Sequence, residues 1–213
     1  MWNVPNILTV LRLGFAVALP LVFLFVMRPY ADWIALILFV VVALTDWLDG
    51  YIARAWNQTS KLGAMLDPIA DKAMVLIALL ALAALFGLNP FVLIPATLIA
   101  FREVFVSGLR EYLGSDSGKL AVTKVAKWKT AAQMVAISAL LASGIFEHHL
   151  GMNSFGMDAQ MMADIIEGRT PDELGLKSSL LGLQITYYGG LVLLWIAGLL
   201  TVYTGWDYLT KAW

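Results

Sequence analysis

Apolar residues come in long runs along this chain, and the polar ones are gathered between them. Mostly apolar stretches recur over 7–27, 33–55, 66–86, 91–112, 124–145 and 180–203. A helical span needs about 20 such residues to cross a hydrocarbon core of about 30 Å. The pattern therefore predicts an all-α integral membrane protein of six transmembrane helices. Short polar breaks separate the early runs, at Arg28-Pro29-Tyr30 with Asp32, at 56–62, at 87–90 and at 113–123. A longer break over 146–178 reads as an extra-cytoplasmic loop. Within it, MDAQMMADIIEG predicts an amphipathic surface helix with Met157, Met161, Met162, Ile165 and Ile166 on one side. His148 and His149 read as loop residues rather than metal ligands. Thr170-Pro171-Asp172-Glu173 looks like a helix start. Trp206, Tyr208 and Trp213 close the chain as expected interfacial anchors.

Composition strengthens the membrane reading. The chain has 213 residues, is 61% hydrophobic and has a mean hydropathy of +0.80, where soluble domains are about half apolar. Its net charge of −1 gives no sign of a nucleic-acid partner. The lack of cysteine excludes disulfides, thiolate metal sites and a cysteine nucleophile. The N-terminus lacks a signal-peptide cleavage pattern, so the first run is expected to stay as a span. No internal repeat or low-complexity segment stands out, and 1–213 reads as a single membrane domain.

Against this apolar background, the stretch from Thr45 to Lys72 concentrates four aspartates: Asp46, Asp49, Asp67 and Asp71. They form two pairs, three and four residues apart, spacings that place each pair on one helical face. Pro68 biases Asp67 away from helical geometry, which loosens the expected alignment of the second pair. Gly50, Ala53 and Gly63 lie among the acids and allow a helix or a ligand to approach the backbone closely. Four neighbouring carboxylates repel one another, and a hard divalent cation resolves that repulsion. An all-oxygen set of this kind suits Mg²⁺ or Mn²⁺, and four acids accommodate two ions. Arg54, one turn beyond the first pair, calls for an anionic counterpart, for which a phosphate is the best match. Ionisable residues at membrane depth are functional candidates by default.

Two further polar sets accompany the acids. Asn6, Thr9 and Arg12 form N-x2-T-x2-R on one face of the first span, with Arg12 either snorkelling to the interface or lining the pocket. Arg102 and Arg110 lie eight residues apart on one side of the fourth span, and Glu103 and Glu111 repeat that offset. Arginines so deep in an apolar helix should face a polar cavity. With Lys124, Lys127 and Lys129 they make the densest basic set, a second phosphate pocket on the aspartate side.

The acidic stretch reads D-x2-D-G-x2-A-R-x8-G-x3-D-x3-D, and in this it resembles the CDP-alcohol phosphotransferases. Beyond the fixed positions of that pattern, PNILTVLR, TDWLDGYIARAWNQ, LDPIADK, REVFVSGLRE and KWKTAAQM resemble the branch of that family whose acceptor is sn-glycerol 3-phosphate, over about residues 3–140. Ala126 stands where the resemblance leads one to expect glycine. The resemblance implies a fold with its active site at the cytoplasmic face and a homodimer. It also implies CDP-diacylglycerol as donor, with CMP as leaving group. Asp46, Asp49 and Asp67 would hold one metal, and Asp46, Asp67 and Asp71 the other. Asp71 would act as general base. Asn6, Thr9, Gly50, Ala53, Arg54 and Gly63 would receive the CDP-lipid. Arg102, Arg110, Lys127 and Lys129 would hold the acceptor phosphate.

Other readings make different demands. A cardiolipin synthase of the same family would use phosphatidylglycerol as acceptor. A divalent-cation transporter would spread its acids through the membrane depth and need no cationic pocket. A helix-bundle scaffold would leave the four aspartates and the deep arginines without a purpose. Of the 14 lysines and arginines, all but Arg28, Arg169 and Lys177 fall on the predicted aspartate side. Lysines and arginines favour the cytoplasmic side, so the active face and both termini are expected there, in the inner membrane.

Overall fold

In the computed structural model, backbone is described for residues 4–56, 61–114 and 124–212, and side chains for 6–45, 63, 65–114 and 127–210. The described chain is helical: α1 (Val4–Phe25), α2 (Tyr30–Trp56), α3 (Lys61–Leu85), α4 (Pro90–Leu113), α5 (Lys124–Asn153), α6 (Ala159–Glu167) and α7 (Leu176–Ala212). Five of them, α1, α3, α4, α5 and α7, are long and apolar enough to cross a membrane, and the described part of α2, Tyr30–Thr45, is apolar too. In lipid, a helix satisfies its own backbone hydrogen bonds, which is why the apolar runs take this form.

Six of these helices, all but α6, meet in a main apolar core. Leu19 of α1, Phe39 of α2, Leu82 of α3, Ile99 of α4, Ile137 of α5 and Leu194 of α7 are all fully buried in it. Between them sit Ala16, Ala35, Ala78, Ala96, Ala136 and Ala197, also buried. Lipid tails are as apolar as leucine, so packing rather than water exclusion holds such helices together, and small residues permit the close approach. Large apolar side chains such as Phe25, Leu80, Phe91, Phe101 and Leu199 point outward, as a lipid-facing surface requires. The most extensive helix pair is α5 with α7. On that seam the missing side chain of Gly182 leaves room for the Phe146 ring, which would lie 2.4 Å from a Cβ there.

Local chemistry marks the helix ends. Asn89 caps α4 by accepting a hydrogen bond from Phe91 N at 2.9 Å, directly before Pro90 at the first helical position. Asp158 caps α6 by accepting from Met161 N at 2.7 Å, and Gly168 closes it with φ 83°.

The polar break expected as a loop over 146–178 is largely helical. α5 runs on to Asn153, so His148 and His149 lie on a helix, with ring centroids 6.2 Å apart. Nothing in FEHHLGMN breaks a helix, and packing against α7 carries α5 past the end of its apolar run. The surface helix is present as α6, but only Ile165 of its expected apolar face is buried; Met161 and Ile166 remain half exposed. α7 begins at Leu176, where the expected helix start does its work: Asp172 accepts from Leu176 N at 2.8 Å and Lys177 N at 2.9 Å.

Those backbone hydrogen bonds, led by the one from Lys177, lower the pKa of Asp172. Its ionised form is thus favoured by folding. The cap is fully present above the unfolded carboxylate value of about 3.9 and is lost as pH falls through the lower folded value. Hydrogen exchange at the Leu176 and Lys177 amides should therefore accelerate, relative to the intrinsic rate, only below about pH 4. In Asp172→Ala those amides should lack this protection at neutral pH as well.

Candidate active site

Two residues on one face of α1, Thr9 and Arg12, meet two on α3, Asp67 and Asp71. Asn6, Thr9 and Arg12 recur every three residues, and all three are buried. Thr9 Oγ1 donates to Asp67 Oδ1 at 2.6 Å. Arg12 donates through Nη1 to Asp71 Oδ1 at 2.9 Å, and its Nη2 lies 3.6 Å from Asp67 Oδ1. Its Nη2 also reaches Thr9 Oγ1 at 3.5 Å. Arg12 therefore does not snorkel to the interface; its side chain is only 3% exposed, and its guanidinium clamps both aspartates. The assignment of pocket residues from sequence omitted Arg12, although the N-x2-T-x2-R face already pointed to it.

Pro68 does not disturb the second aspartate pair. It lies inside α3, which begins at Lys61, so Asp67 and Asp71 sit one turn apart on the same face. Starting the helix two turns earlier leaves Pro68 within an established helix, where the fixed contacts to α1 outweigh the local preference at Asp67. Both carboxylates keep about half of their side-chain surface, 51% and 50%, open. Gly63, in the first turn of α3, is buried. Asp46, Asp49, Gly50, Ala53 and Arg54 lie on the last turns of α2, and their side chains fall outside the described residues. Among the described residues, no three acidic or histidine side chains converge as a metal site.

Asp67 and Asp71 open onto a cavity of about 820 Å³. This is within the range of about 300–1,000 Å³ usual for small-molecule sites. Ala43 and Leu44 of α2, just before the first aspartate pair, line it on one side. The same cavity is lined by Arg102 and Arg110 of α4 and by Lys127 and Lys129 of α5, all four predicted as one basic pocket. Sequence spacing alone did not establish that the acids and this set share one space.

The cations are not equivalent. Arg110 and Lys127 are exposed to the cavity, whereas Arg102 and Lys129 are largely enclosed. Glu103 stands between the enclosed pair, 3.1 Å from Arg102 Nη1 and 2.5 Å from Lys129 Nζ. A buried cation is costly unless it is paired, and Glu103 supplies the pairing. Lys72, one residue after Asp71, donates to Ser107 Oγ, and Ser107 in turn donates to the Glu103 carbonyl. Lys72 and Glu103 had no place in the pocket as read from sequence, because only the crossing of α3 and α4 brings them into it.

The cavity thus offers both carboxylate oxygens, suited to a hard divalent cation, and guanidinium and ammonium groups, suited to a phosphate. The sequence pattern of the CDP-alcohol phosphatidyltransferase family matches residues 2–166. A protein of Cereibacter sphaeroides named CDP-diacylglycerol–glycerol-3-phosphate 3-phosphatidyltransferase is 51% identical over 99% of this chain and 96% of its own length. Proteins of the same name from Haemophilus influenzae and Escherichia coli K12 are each 39% identical over 66% of this chain, covering 76% and 77% of their own lengths. Together with the all-helical membrane fold and its cavity, these similarities place the chain in the CDP-alcohol phosphatidyltransferase family.

Proposed function

We propose that this chain transfers the phosphatidyl group of CDP-diacylglycerol to sn-glycerol 3-phosphate, giving phosphatidylglycerophosphate and CMP. The observation that carries this reading is the shared cavity, lined by Asp67 and Asp71 together with Arg102, Arg110, Lys127 and Lys129. A neutral acceptor alcohol would have no use for so many cations. An acceptor bearing a phosphate would, and the names of the relatives agree.

Asp67 and Asp71, joined by Asp46 and Asp49 of α2, would hold Mg²⁺ or Mn²⁺, two ions in the fullest case. The exposed carboxylate surface of Asp67 and Asp71 and their all-oxygen chemistry fit such ions. When bound, the ions supply charge neutralisation at the diphosphate and its CMP leaving group. Arg54 binds the same diphosphate, and Asn6, Thr9, Gly50, Ala53 and Gly63 shape the CDP-lipid side of the pocket. Asn6 and Thr9 do so from the buried face of α1. Arg102, Arg110, Lys127 and Lys129 hold the phosphate of the acceptor, so that its free primary hydroxyl faces the lipid phosphorus. Asp71 takes the proton of that hydroxyl as the new P–O bond forms and the bond to CMP breaks. Positioning and charge dominate such transfers, which suits a cavity built from fixed ionic groups.

In the same reading α2 is the sixth span, and the cavity and both termini face the cytoplasm from a bacterial inner membrane. Arg28, Arg169 and Lys177 mark the other side, and the whole chain acts as one domain. The family resemblance adds a homodimer.

The test is CMP release by purified protein in detergent with Mg²⁺ and CDP-diacylglycerol. Glycerol 3-phosphate, phosphatidylglycerol, serine and inositol phosphate are offered in turn. Turnover with glycerol 3-phosphate alone is expected. Turnover only with phosphatidylglycerol makes the chain a cardiolipin synthase, and no CMP release from any pairing overturns the transferase reading. Arg110→Ala should raise the KM for glycerol 3-phosphate about tenfold, a value lowered by the exposure of that guanidinium. The KM for CDP-diacylglycerol should change little. An equal rise in both would move Arg110 to the lipid diphosphate.

A further inference from the structure

The last helix contributes a residue to this cavity that the family pattern, ending at residue 166, does not reach. Tyr208 was expected at the membrane interface with Trp206. Trp206 is exposed, but Tyr208 is 2% exposed and lines the cavity. Helical periodicity explains the difference: two residues on, the side chain points to another face of α7, toward α4.

On α4, Arg102, Val106 and Arg110 form one stripe at successive four-residue steps. The Tyr208 ring packs on buried Val106, in the middle of that stripe. Eight residues of helix separate the two arginines by about 12 Å along the axis. Yet the guanidinium carbon of Arg102 lies 5.4 Å from the ring centroid, and that of Arg110 lies 5.5 Å from it. Both distances are within the range of about 6 Å for cation–π attraction. Arg110 Nη2 also reaches the Tyr208 hydroxyl at 3.5 Å. One turn earlier on α7, Gly205 leaves room for the Arg102 stem, whose Cγ would be 3.2 Å from a Cβ there.

We infer that Tyr208 is a positioning residue for the acceptor site. Its ring draws the two arginines toward each other so that they present a convergent pair of guanidiniums to one phosphate. Arg102 is already held by Glu103 through Nη1 at 3.1 Å, whereas Arg110, exposed to the cavity, would otherwise swing away from Arg102 and lose side-chain freedom on binding. The aromatic face attracts both without adding a negative charge to the site, as a carboxylate in its place would. The inference rests on the proposed use of Arg102 and Arg110 for the acceptor phosphate.

The experiment compares wild type, Tyr208→Phe and Tyr208→Leu in detergent with Mg²⁺, measuring kcat and the KM of each substrate. Tyr208→Phe keeps the ring and loses only a long hydrogen bond, so its KM for glycerol 3-phosphate should stay within about threefold of wild type. Tyr208→Leu keeps apolar packing on Val106 but has no π face. Its KM for glycerol 3-phosphate should rise about tenfold, with the KM for CDP-diacylglycerol and kcat within about twofold. The unchanged lipid KM also shows that the variant is folded. A Leu variant with wild-type acceptor KM overturns the inference, as does one that raises both KM values alike. A Phe variant as impaired as the Leu variant overturns it too, because the ring would not be the operative group. Failure of the functional reading shows separately, as a wild type that does not turn over glycerol 3-phosphate.

Discussion

Asp71→Asn should reduce turnover by about 10²–10⁴-fold, the usual contribution of a positioned general base, while the protein stays folded. Asparagine keeps the size of the side chain, and its carbonyl still accepts a hydrogen bond, so the 2.9 Å contact from Arg12 has a replacement. What is lost is the capacity to receive a proton at the half-exposed edge that faces the cavity. Thermal stability in detergent and the KM for glycerol 3-phosphate should change little. The same carboxylate is also assigned to metal holding, and a Mg²⁺ titration separates the two roles. Turnover that stays low at saturating Mg²⁺ fits a lost base. Full recovery at high Mg²⁺ would assign the whole effect to metal affinity and leave the proton without its acceptor.

Arg12→Leu is the second large effect, and it should appear in stability as well as in rate. The guanidinium is almost fully buried between α1 and α3 and meets Asp67 and Asp71 at once. Removing one partner of a fully buried pair costs about 3–5 kcal/mol. Because both carboxylates keep half of their surface open, about 2–3 kcal/mol is expected here, read as a lower melting temperature in detergent. Turnover should fall further than stability explains, since Asp67 and Asp71 lose the clamp that orients them. Arg12→Lys should recover part of the stability, because an ammonium is a point charge and cannot fork to two carboxylates. A Leu variant with wild-type melting and wild-type turnover would show that the clamp is incidental.

Much of this was legible without coordinates. The apolar runs at α1, α3, α4, α5 and α7 appeared as helices because a span of about 20 apolar residues has few alternatives in lipid. Asp67 and Asp71 stood out as candidates because charge in an apolar chain is costly and therefore conspicuous. Arg102, Arg110, Lys127 and Lys129 stood out together as the densest basic set, and all four line one cavity. Helix ends were less legible. The α5 extension through His148 and His149 and the early start of α3 depend on neighbours, and a local propensity at Pro68 was outweighed by packing.

Sequence by itself determined the membrane-helical class, the acidic and basic sets and the chemistry each can perform, because those follow from side-chain type and spacing along single helices. Tertiary structure alone decided which sets meet. It set Arg12 on Asp67 and Asp71, put Glu103 between Arg102 and Lys129, and brought Tyr208 across from α7 onto two arginines of α4. Spacing within a helix fixes only which residues share a face. Which face meets which is settled by how all the helices pack at once, and the small residues on their seams set how closely they approach.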